Sequence, residues 1–334
     1  MNSDQFFIRR CIEIAKHGFP AATPNPSVGC VIVHDNKIIG EGYTSPYGGP
    51  HAEVNAINSV KDKIVLTEAT LYVTLEPCSH FGKTPPCANL IVSHKIPRVV
   101  IGTIDSYSEV SGQGIEKLKQ SGCDVTIGVL EAECKSLHKR FFTFHNKKRP
   151  YIILKWAMTK NGYIAPKHRD SQNPVWITSA LSRQLVHKWR TEEQAILVGT
   201  NTVKEDNPEL TARQWTGKNP TRVVLNRTDS LDKDLKLFNS EAETINLTSK
   251  EIDYNQPIAK EICDYLHKKN IHSVIIEGGA MTLNSFIKEN LWDEARVFTG
   301  ISHFDSGILA PVLEKRPTAK QLINNDTLHY YYND

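Results

Sequence analysis

The first half of the chain alternates between the hydrophobic period of a helix and that of a strand. Phe7, Cys11, Ile14 and Ala15 recur every three or four residues and predict a helix that Ser3 can cap. The following segments predict strands at 29–33, 37–40, 69–75, 98–103 and 123–129, and helices at 51–60, 114–120 and 130–145. This alternation predicts an α/β fold in which helices cover a mixed or parallel sheet.

A polar, basic run at 146–150 interrupts the pattern, and we place a domain boundary there, between residues 1–147 and 148–334. A solvated linker explains this run better than a nuclear-targeting signal does. The alternation then restarts, with predicted strands at 151–155, 195–198, 222–225, 273–277 and 295–298. Residues 228–257 are polar and weakly periodic, which predicts loops with an edge element, and about the last 30 residues show no diagnostic pattern.

Length and charge narrow the class of protein. The 334 residues suit about two domains, and 40 Lys and Arg against 37 Asp and Glu leave a net charge of only +3. This balance argues against a nucleic-acid or membrane-surface protein, and no apolar run reaches the roughly 18 residues of a membrane helix. The N-terminus does not resemble a secretory signal, and the seven cysteines are too few for a disulfide scaffold. We therefore expect a cytoplasmic protein in which neighbouring Cys and His bind metal.

The most informative residues form a candidate metal site. His51 and Glu53 open one predicted helix, and Cys78 and Cys87 follow the next strand. One imidazole and two thiolates suit Zn²⁺ and leave a fourth position for water, whose pKa zinc lowers toward 7. Glu53 is then placed to take a proton from the water and return it to a leaving amine, as in zinc deaminases. Two alternatives stay open: structural cysteines beside an unrelated histidine, and a closed structural zinc site with His80 as fourth ligand.

The residues around this motif suggest a polar substrate. Eight residues separate Cys78 from Cys87, where many deaminases have P-C-x-x-C, and they include His80, Lys83 and Thr84. An imidazole, a cation and a hydroxyl beside a metal suit anionic or polar groups. Asn25, in the rigid turn T-P-N-P, can present an amide to a base edge, although this turn can also be purely structural.

The second half carries a weaker signal when it is taken alone. The strand at 273–277 leads into Gly278, Gly279 and a helix, an arrangement that can hold a phosphate although it lacks the G-x-G-x-x-G pattern. Arg190, Arg213 and Arg222 are candidates for binding anions, or ordinary surface charges.

Together, these motifs resemble the bifunctional deaminase–reductase family of riboflavin biosynthesis. The resemblance rests on T-P-N-P-S-V-G (23–29), P-H-A-E-V-N-A (50–56), P-C-S-H-F-G-K-T-P-P-C (77–87), K-W-A-M-T-K-N-G (155–162), D-N-P-E-L-T-A-R (206–213) and E-G-G (277–279). It covers nearly the whole chain, in the family order.

The resemblance implies a cytidine-deaminase-like α/β/α sandwich followed by a dihydrofolate-reductase-like α/β domain. It implies one zinc ion on His51, Cys78 and Cys87, with Glu53 as the proton shuttle. The implied substrate is 2,5-diamino-6-ribosylamino-4(3H)-pyrimidinone 5′-phosphate, which loses its 2-amino group as ammonia. NADPH then reduces the ribosyl chain, giving 5-amino-6-ribitylaminouracil 5′-phosphate. The family also suggests a homo-oligomer, a dimer or higher.

Individual contacts follow from the matched positions. Expected to face substrate are Asn25, His80, Lys83, Thr84, Arg190, Leu210, Arg213 and Glu277. Expected to contact NADPH are Ala157, Trp176, Thr202, Asp206, Gly279, Ala280, Met281, Thr282, Leu283, Asn284 and Ser285. The chain departs from the family pattern at 81–84, at 106–108, at Asn161 and in an insertion at 173–175.

Two rival functions stay open beside this one. The first is a deaminase of free bases, nucleotides or tRNA adenosine, against which the reductase motifs and the near-neutral charge argue. The second is a zinc-stabilised binding protein without activity, against which Glu53 beside an open metal position argues.

Overall fold

The computed structural model describes residues 3–80, 85–105, 112–168, 172 and 174–333. The chain divides into two compact units, Met1–Lys147 and Lys148–Asp334, and each has its own sheet. Among the described helices, none combines the length and the hydropathy that a membrane span requires.

The first unit contains a five-stranded mixed sheet. Its strands are β1 (Gly29–His34), β2 (Lys37–Tyr43), β3 (Thr70–Leu75), β4 (Arg98–Thr103) and β5 (Asp124–Ile127), and its α-helices are α1 (Ser3–Ala15), α2 (Ala52–Ser59), α3 (Cys87–Ser93), α4 (Gln113–Gln120), α5 (Glu131–Leu137) and α6 (Lys139–Lys147). A 3₁₀ helix spans Lys63–Glu68. The strand order is β2-β1-β3-β4-β5, with β3, β4 and β5 parallel and the β1 pairings antiparallel.

Helices cover both faces of this sheet. Buried side chains of α2, α3 and α4, among them Ile57, Ile91 and Leu118, share one core with β1, β3 and β4. On the opposite face, Phe7 and Cys11 of α1 and Cys134 of α5 share a second core with the same three strands. Successive residues of a strand point to opposite faces, so one sheet supplies both cores. The expected α/β/α sandwich is confirmed.

The predicted helix at 130–145 is in fact two helices. The break falls at His138, whose buried imidazole contacts Thr74 Oγ1 of β3 at 3.2 Å. Burial lowers the pKa of His138 to about 3, so this ring is neutral near pH 7. The helical periodicity of the sequence does not reveal this polar contact between the helix break and the sheet. The strand predicted at 123–129 is also shorter, ending at Ile127.

Gly42 of β2 sets the position of the helix that carries the metal motif. A Cβ atom at Gly42 would lie 2.3 Å from the Ala56 nitrogen and 2.5 Å from the Ala52 oxygen, both on α2. Only glycine permits this approach of strand and helix. As a result α2 lies directly against the sheet.

The second unit contains the strands β6 (Tyr151–Met158), β7 (Tyr163–Pro166), β8 (Ala195–Gly199), β9 (Thr221–Leu225), β10 (Thr244–Leu247), β11 (Ser273–Glu277), β12 (Glu294–Thr299), β13 (Gly307–Leu309), β14 (Ala319–Ile323) and β15 (Asp326–Tyr332). Eight of them form one sheet with the order β10-β9-β8-β11-β6-β12-β15-β14, and β7 and β13 pair in a separate two-stranded sheet. The helices are α7 (Ala180–Glu192), α8 (Thr200–Asp206), α9 (Ile258–Lys268) and α10 (Ala280–Lys288), with a 3₁₀ turn at Lys236–Phe238.

Parallel pairing runs from β10 to β12, and β15 and β14 continue the sheet antiparallel. Helices α9 and α10 pack on one face, and α7 and α8 on the other. As predicted, the polar stretch 228–257 supplies an edge strand, β10. Because parallel strands end at one edge of a sheet, the ends of β6, β8 and β11 lie close together, which is where ligands bind in such folds.

Candidate metal centre and cofactor cavity

Three side chains from separate elements of the first unit meet at one point. His51 is the N-cap residue of α2 and makes no capping bond, Cys78 follows β3, and Cys87 is the first residue of α3 behind Pro86. His51 Nδ1 lies 3.6 Å from Cys78 Sγ and 3.4 Å from Cys87 Sγ, and all three donor atoms lie within 4.8 Å of one another.

This donor set fits zinc. Tetrahedral Zn–S and Zn–N bonds of about 2.1–2.3 Å place neighbouring donors about 3.5 Å apart, which matches the observed separations. Among the described residues, no fourth Cys, His, Asp or Glu joins the group. His80 is exposed, so a closed site with His80 as fourth ligand finds no support. Three protein ligands with a free fourth position are typical of catalytic zinc.

The protonation states of these three side chains also favour the binding of a cation. Hydrogen bonding from Cys87, together with His51, lowers the pKa of Cys78, which favours the thiolate form of this sulfur. The same bond raises the pKa of Cys87, and the contact with Cys78 raises the pKa of His51. A bound cation replaces the proton held within this cluster.

Glu53 lies in the first turn of α2, two residues after His51, and is only 4% exposed. Burial, followed by the negative charge of Cys78, raises the pKa of Glu53 to about 7. This carboxyl group is not one of the clustered metal donors. A buried carboxyl group beside a metal site, with a pKa near neutrality, is suited to both taking and returning a proton.

The second unit contains a cavity of about 1230 Å³ at the carboxyl ends of its parallel strands. All four residues predicted there to face substrate line it: Arg190, Leu210, Arg213 and Glu277. So do nine of the eleven predicted NADPH contacts: Ala157, Trp176, Thr202, Asp206, Gly279, Ala280, Met281, Thr282 and Ser285. The volume and the glycine-led start of α10 suit a dinucleotide.

The other two predicted NADPH contacts do not line the cavity. Leu283 is fully buried in the hydrophobic core, and Asn284 is exposed on α10. The prediction covered a continuous run of residues, but successive residues of a helix point in directions about 100° apart. Part of such a run must therefore face away from a ligand.

The carboxylate of Glu277 makes ion pairs with two cations that line the cavity. Glu277 forms an ion pair with Lys155, and Arg190 Nη2 donates to Glu277 Oε2 at 2.9 Å. Arg190 Nη1 also donates to the Thr211 carbonyl at 3.0 Å, on the segment that carries Leu210 and Arg213. No role was predicted for Lys155, because its partnership depends on β11 lying beside β6, where Glu277 pairs in register with Lys155. Sequence spacing does not contain this information.

Comparison with known proteins decides between the candidate functions. Residues 1–103 match the cytidine and deoxycytidylate deaminase zinc-binding region, and residues 150–300 match the RibD C-terminal domain. The chain is 39% identical over 345 residues to the riboflavin biosynthesis protein RibD of Aquifex aeolicus, covering 96% of this chain and 95% of that protein. The chain belongs to the RibD family.

Solved structures of the RibD family agree with this fold. A diaminohydroxyphosphoribosylaminopyrimidine deaminase/5-amino-6-(5-phosphoribosylamino)uracil reductase of Thermotoga maritima is 38% identical, with a TM-score of 0.89 and 98% of each chain covered. RibD of Acinetobacter baumannii is 29% identical, with a TM-score of 0.85, covering 99% of this chain and 98% of that one. The expected deaminase-like and reductase domains are thereby confirmed, as are riboflavin biosynthesis, the deamination and reduction steps, and the cofactors zinc and NADPH.

The remaining predicted positions lie around the metal motif and in the loops where the chain departs from the family pattern. Lys83, Thr84, the departure at 106–108 and Asn173 of the insertion lie outside the described residues. Asn25 is half-buried in the turn before β1, and His80 is exposed two residues after Cys78. Their contacts with substrate remain predictions.

The Glu277 ion pairs predict a dependence of stability on pH. Burial raises the pKa of Glu277, but Lys155 and Arg190 outweigh burial and lower this pKa from its ordinary 4.5 to about 2. Because the folded pKa is depressed, this stabilisation is present above about pH 4.5 and is lost as the pH falls toward 2. The shift corresponds to about 3 kcal/mol.

We therefore expect Glu277→Gln to unfold at a lower temperature than the wild type at pH 7, because it leaves two cations without their carboxylate. The gap between the two unfolding midpoints should narrow as the pH is lowered from 5 to about 2.5 in a thermal scan. A gap that stays constant over this range would contradict the assigned ion pairs.

Proposed function

We propose that residues 1–147 form the zinc deaminase domain and residues 148–334 the NADPH-dependent reductase domain, acting in sequence on one phosphorylated pyrimidine. The observation that carries this proposal is the open three-ligand site beside Glu53, in one chain with a reductase cavity that contains most of the predicted contacts. The two compact units divide at the proposed boundary.

In the deaminase domain, we assign the metal to His51, Cys78 and Cys87 and the proton transfer to Glu53. Zinc held by these three residues would lower the pKa of a water molecule and so supply a nucleophile at neutral pH. Glu53 accepts a proton from the attacking water and delivers it to the 2-amino group, which leaves as ammonia. We assign Asn25, His80, Lys83 and Thr84 to substrate recognition on the basis of their positions around the motif.

In the reductase domain, we assign the phosphorylated ribose chain to the end of the cavity that Arg190 and Arg213 line. NADPH held in this cavity would supply a hydride to the C1 carbon of the ring-opened ribosylamine, and a nearby group or water would supply the proton that completes the reduction. Glu277, held ionised by Lys155 and Arg190, can accept a hydrogen bond from a hydroxyl group of the sugar. Arg190 is committed to Glu277 and to Thr211, so Arg213 is the more available cation for the phosphate.

This assignment is tested by Arg213→Gln. The Arg213 side chain is 46% exposed, and its contact with Glu209 is long, at 3.6 Å. A charge-assisted hydrogen bond to phosphate contributes about 1.5–3 kcal/mol, so we expect KM for the deaminated substrate to rise about 10–100-fold. The kcat should change much less, because the hydride-transfer geometry does not involve this residue. Steady-state NADPH oxidation measures both constants.

Lys218→Gln is the matched control, because it removes one exposed cation from the same region without touching the lining of the cavity. Its KM should equal that of the wild type. If Arg213→Gln also left KM unchanged, the phosphate would have to bind elsewhere.

We further propose a cytoplasmic homo-oligomer, a dimer or higher. None of the seven cysteines forms a disulfide, which agrees with a reducing compartment. The oligomeric state rests on the family resemblance, and sedimentation equilibrium of the full chain tests it: a monomer at micromolar concentration would reject this part of the proposal.

A further inference from the structure

Glu76 is a buried carboxylate that no step above uses. It directly follows β3, is only 5% exposed, and lies two residues before Cys78. Within the described part of the chain, four backbone N–H groups donate to it. Those of Asp105 and Gly112 reach Oε2 at 3.3 and 3.1 Å, and those of Gly114 and Ile115 reach Oε1 at 3.0 and 3.3 Å.

These bonds replace a missing helix cap. The first N–H groups of a helix have no partner within the helix, and a side chain at the N-cap usually satisfies one of them. The N-cap of α4 is Gly112, which has no side chain and makes no such bond. Glu76 supplies the cap from a different element, and its negative charge lies at the positive end of the helix dipole.

The capped helix packs directly against the turn that carries the zinc ligand. A Cβ atom at Gly114 would lie only 2.0 Å from the carbonyl oxygen of Pro77, so α4 and this turn are in backbone contact. On its other side the turn is bound to α3, since the Cys87 N–H donates to Cys78 Sγ at 3.3 Å and the Ala88 N–H donates to the Cys78 carbonyl at 3.1 Å. Cys78 is thus held between two helices.

We propose that Glu76 is a positioning residue for the metal centre: by capping α4 with its carboxylate, it fixes the Pro77–Cys78 turn and so the direction of one zinc-binding thiolate. This inference rests on the zinc site proposed above. It assigns Glu76 neither a bond to the metal nor a proton transfer. A carboxylate is required at this position, because an amide would direct its own N–H groups at backbone donors.

The test compares the wild type with Glu76→Gln in the full chain loaded with one zinc ion. We expect the variant to bind zinc about 10–100-fold more weakly in competition with a chromophoric chelator, which is the usual effect of losing support behind a ligand. The same variant loaded with Co²⁺ should show an altered thiolate-to-cobalt charge-transfer band. Its NADPH oxidation with deaminated substrate should equal that of the wild type, which confirms that the rest of the chain is folded.

Glu116→Gln is the matched control, since Glu116 is an exposed glutamate on the same helix, and it should bind zinc like the wild type. Should Glu76→Gln fail to fold, Gly114→Ala replaces it; its added methyl group pushes α4 away from Pro77 and should also weaken zinc binding. Zinc affinity and a cobalt spectrum equal to those of the wild type would overturn the inference, even if the variant unfolds at a lower temperature. Failure of the wild type to bind zinc would instead reject the proposed zinc site.

Discussion

Replacing Glu53 by Gln should lower the release of ammonia by about 10²–10⁴-fold while zinc stays bound. Gln has nearly the same shape as Glu but cannot accept the proton of the attacking water. Glu53 is buried in the first turn of α2 and is not among the clustered metal donors, so the substitution leaves the ligand set intact. Ammonia release measures the first effect, and metal analysis of the purified protein measures the second.

The internal control for this variant is its own reductase activity. When Glu53→Gln is given the deaminated compound as substrate, it should oxidise NADPH at the wild-type rate. The reason is that the reductase cavity lies in the other unit. Ammonia release at the wild-type rate would show that Glu53 is not the proton shuttle. Loss of zinc together with activity would instead make Glu53 part of the metal binding.

Replacing Cys87 by Ala should abolish deamination, because only His51 and Cys78 would remain of the donor cluster found among the described residues. Two protein ligands do not hold catalytic zinc at the usual affinity. We expect purified Cys87→Ala to contain no zinc and to release no measurable ammonia, yet to oxidise NADPH with the deaminated substrate. Zinc content and the two activities are measured on the same preparation.

Cys123→Ala is the control for this substitution, because it removes another buried thiol of the first unit that is not part of the donor cluster. It should retain both zinc and deamination. If Cys87→Ala kept a full complement of zinc, the ion would have to be held by a different set of ligands.

The sequence predicted what depends on short stretches of chain. Continuous apolar runs gave the central strands, and the metal motif was recognisable because chemically specific residues stand close together in it. The hairpin of β14 and β15 was missed, since β14 is almost entirely exposed and lacks the apolar alternation of a strand with one buried face. The register of β6 against β11 depends on the whole sheet, and so does the partnership of Lys155 with Glu277.

The contacts of Glu76 show a second limit. Glu76 and the backbone amides of α4 are separated by more than thirty residues in the chain. Backbone N–H groups are common to nearly all residue types, so the sequence does not reveal which of them donate to this cap. Only the folded chain shows that α4, whose N-cap is glycine, takes its cap from the residue that follows β3, two positions before Cys78. In the sequence alone, nothing distinguishes Gly114 and Glu76 from other glycine and glutamate residues. Their importance follows from the packing of α4 against the turn at Pro77.

The most direct test of the account is the mass of the product formed from the diaminopyrimidine ribosyl phosphate, with and without NADPH. Deamination replaces an amino group by oxygen and reduction adds two hydrogens, so the steps change the mass differently. We predict only the deaminated compound without NADPH and the deaminated, reduced compound with it. An unchanged substrate in the absence of NADPH, or a product reduced without deamination, would contradict the proposed order of the two activities.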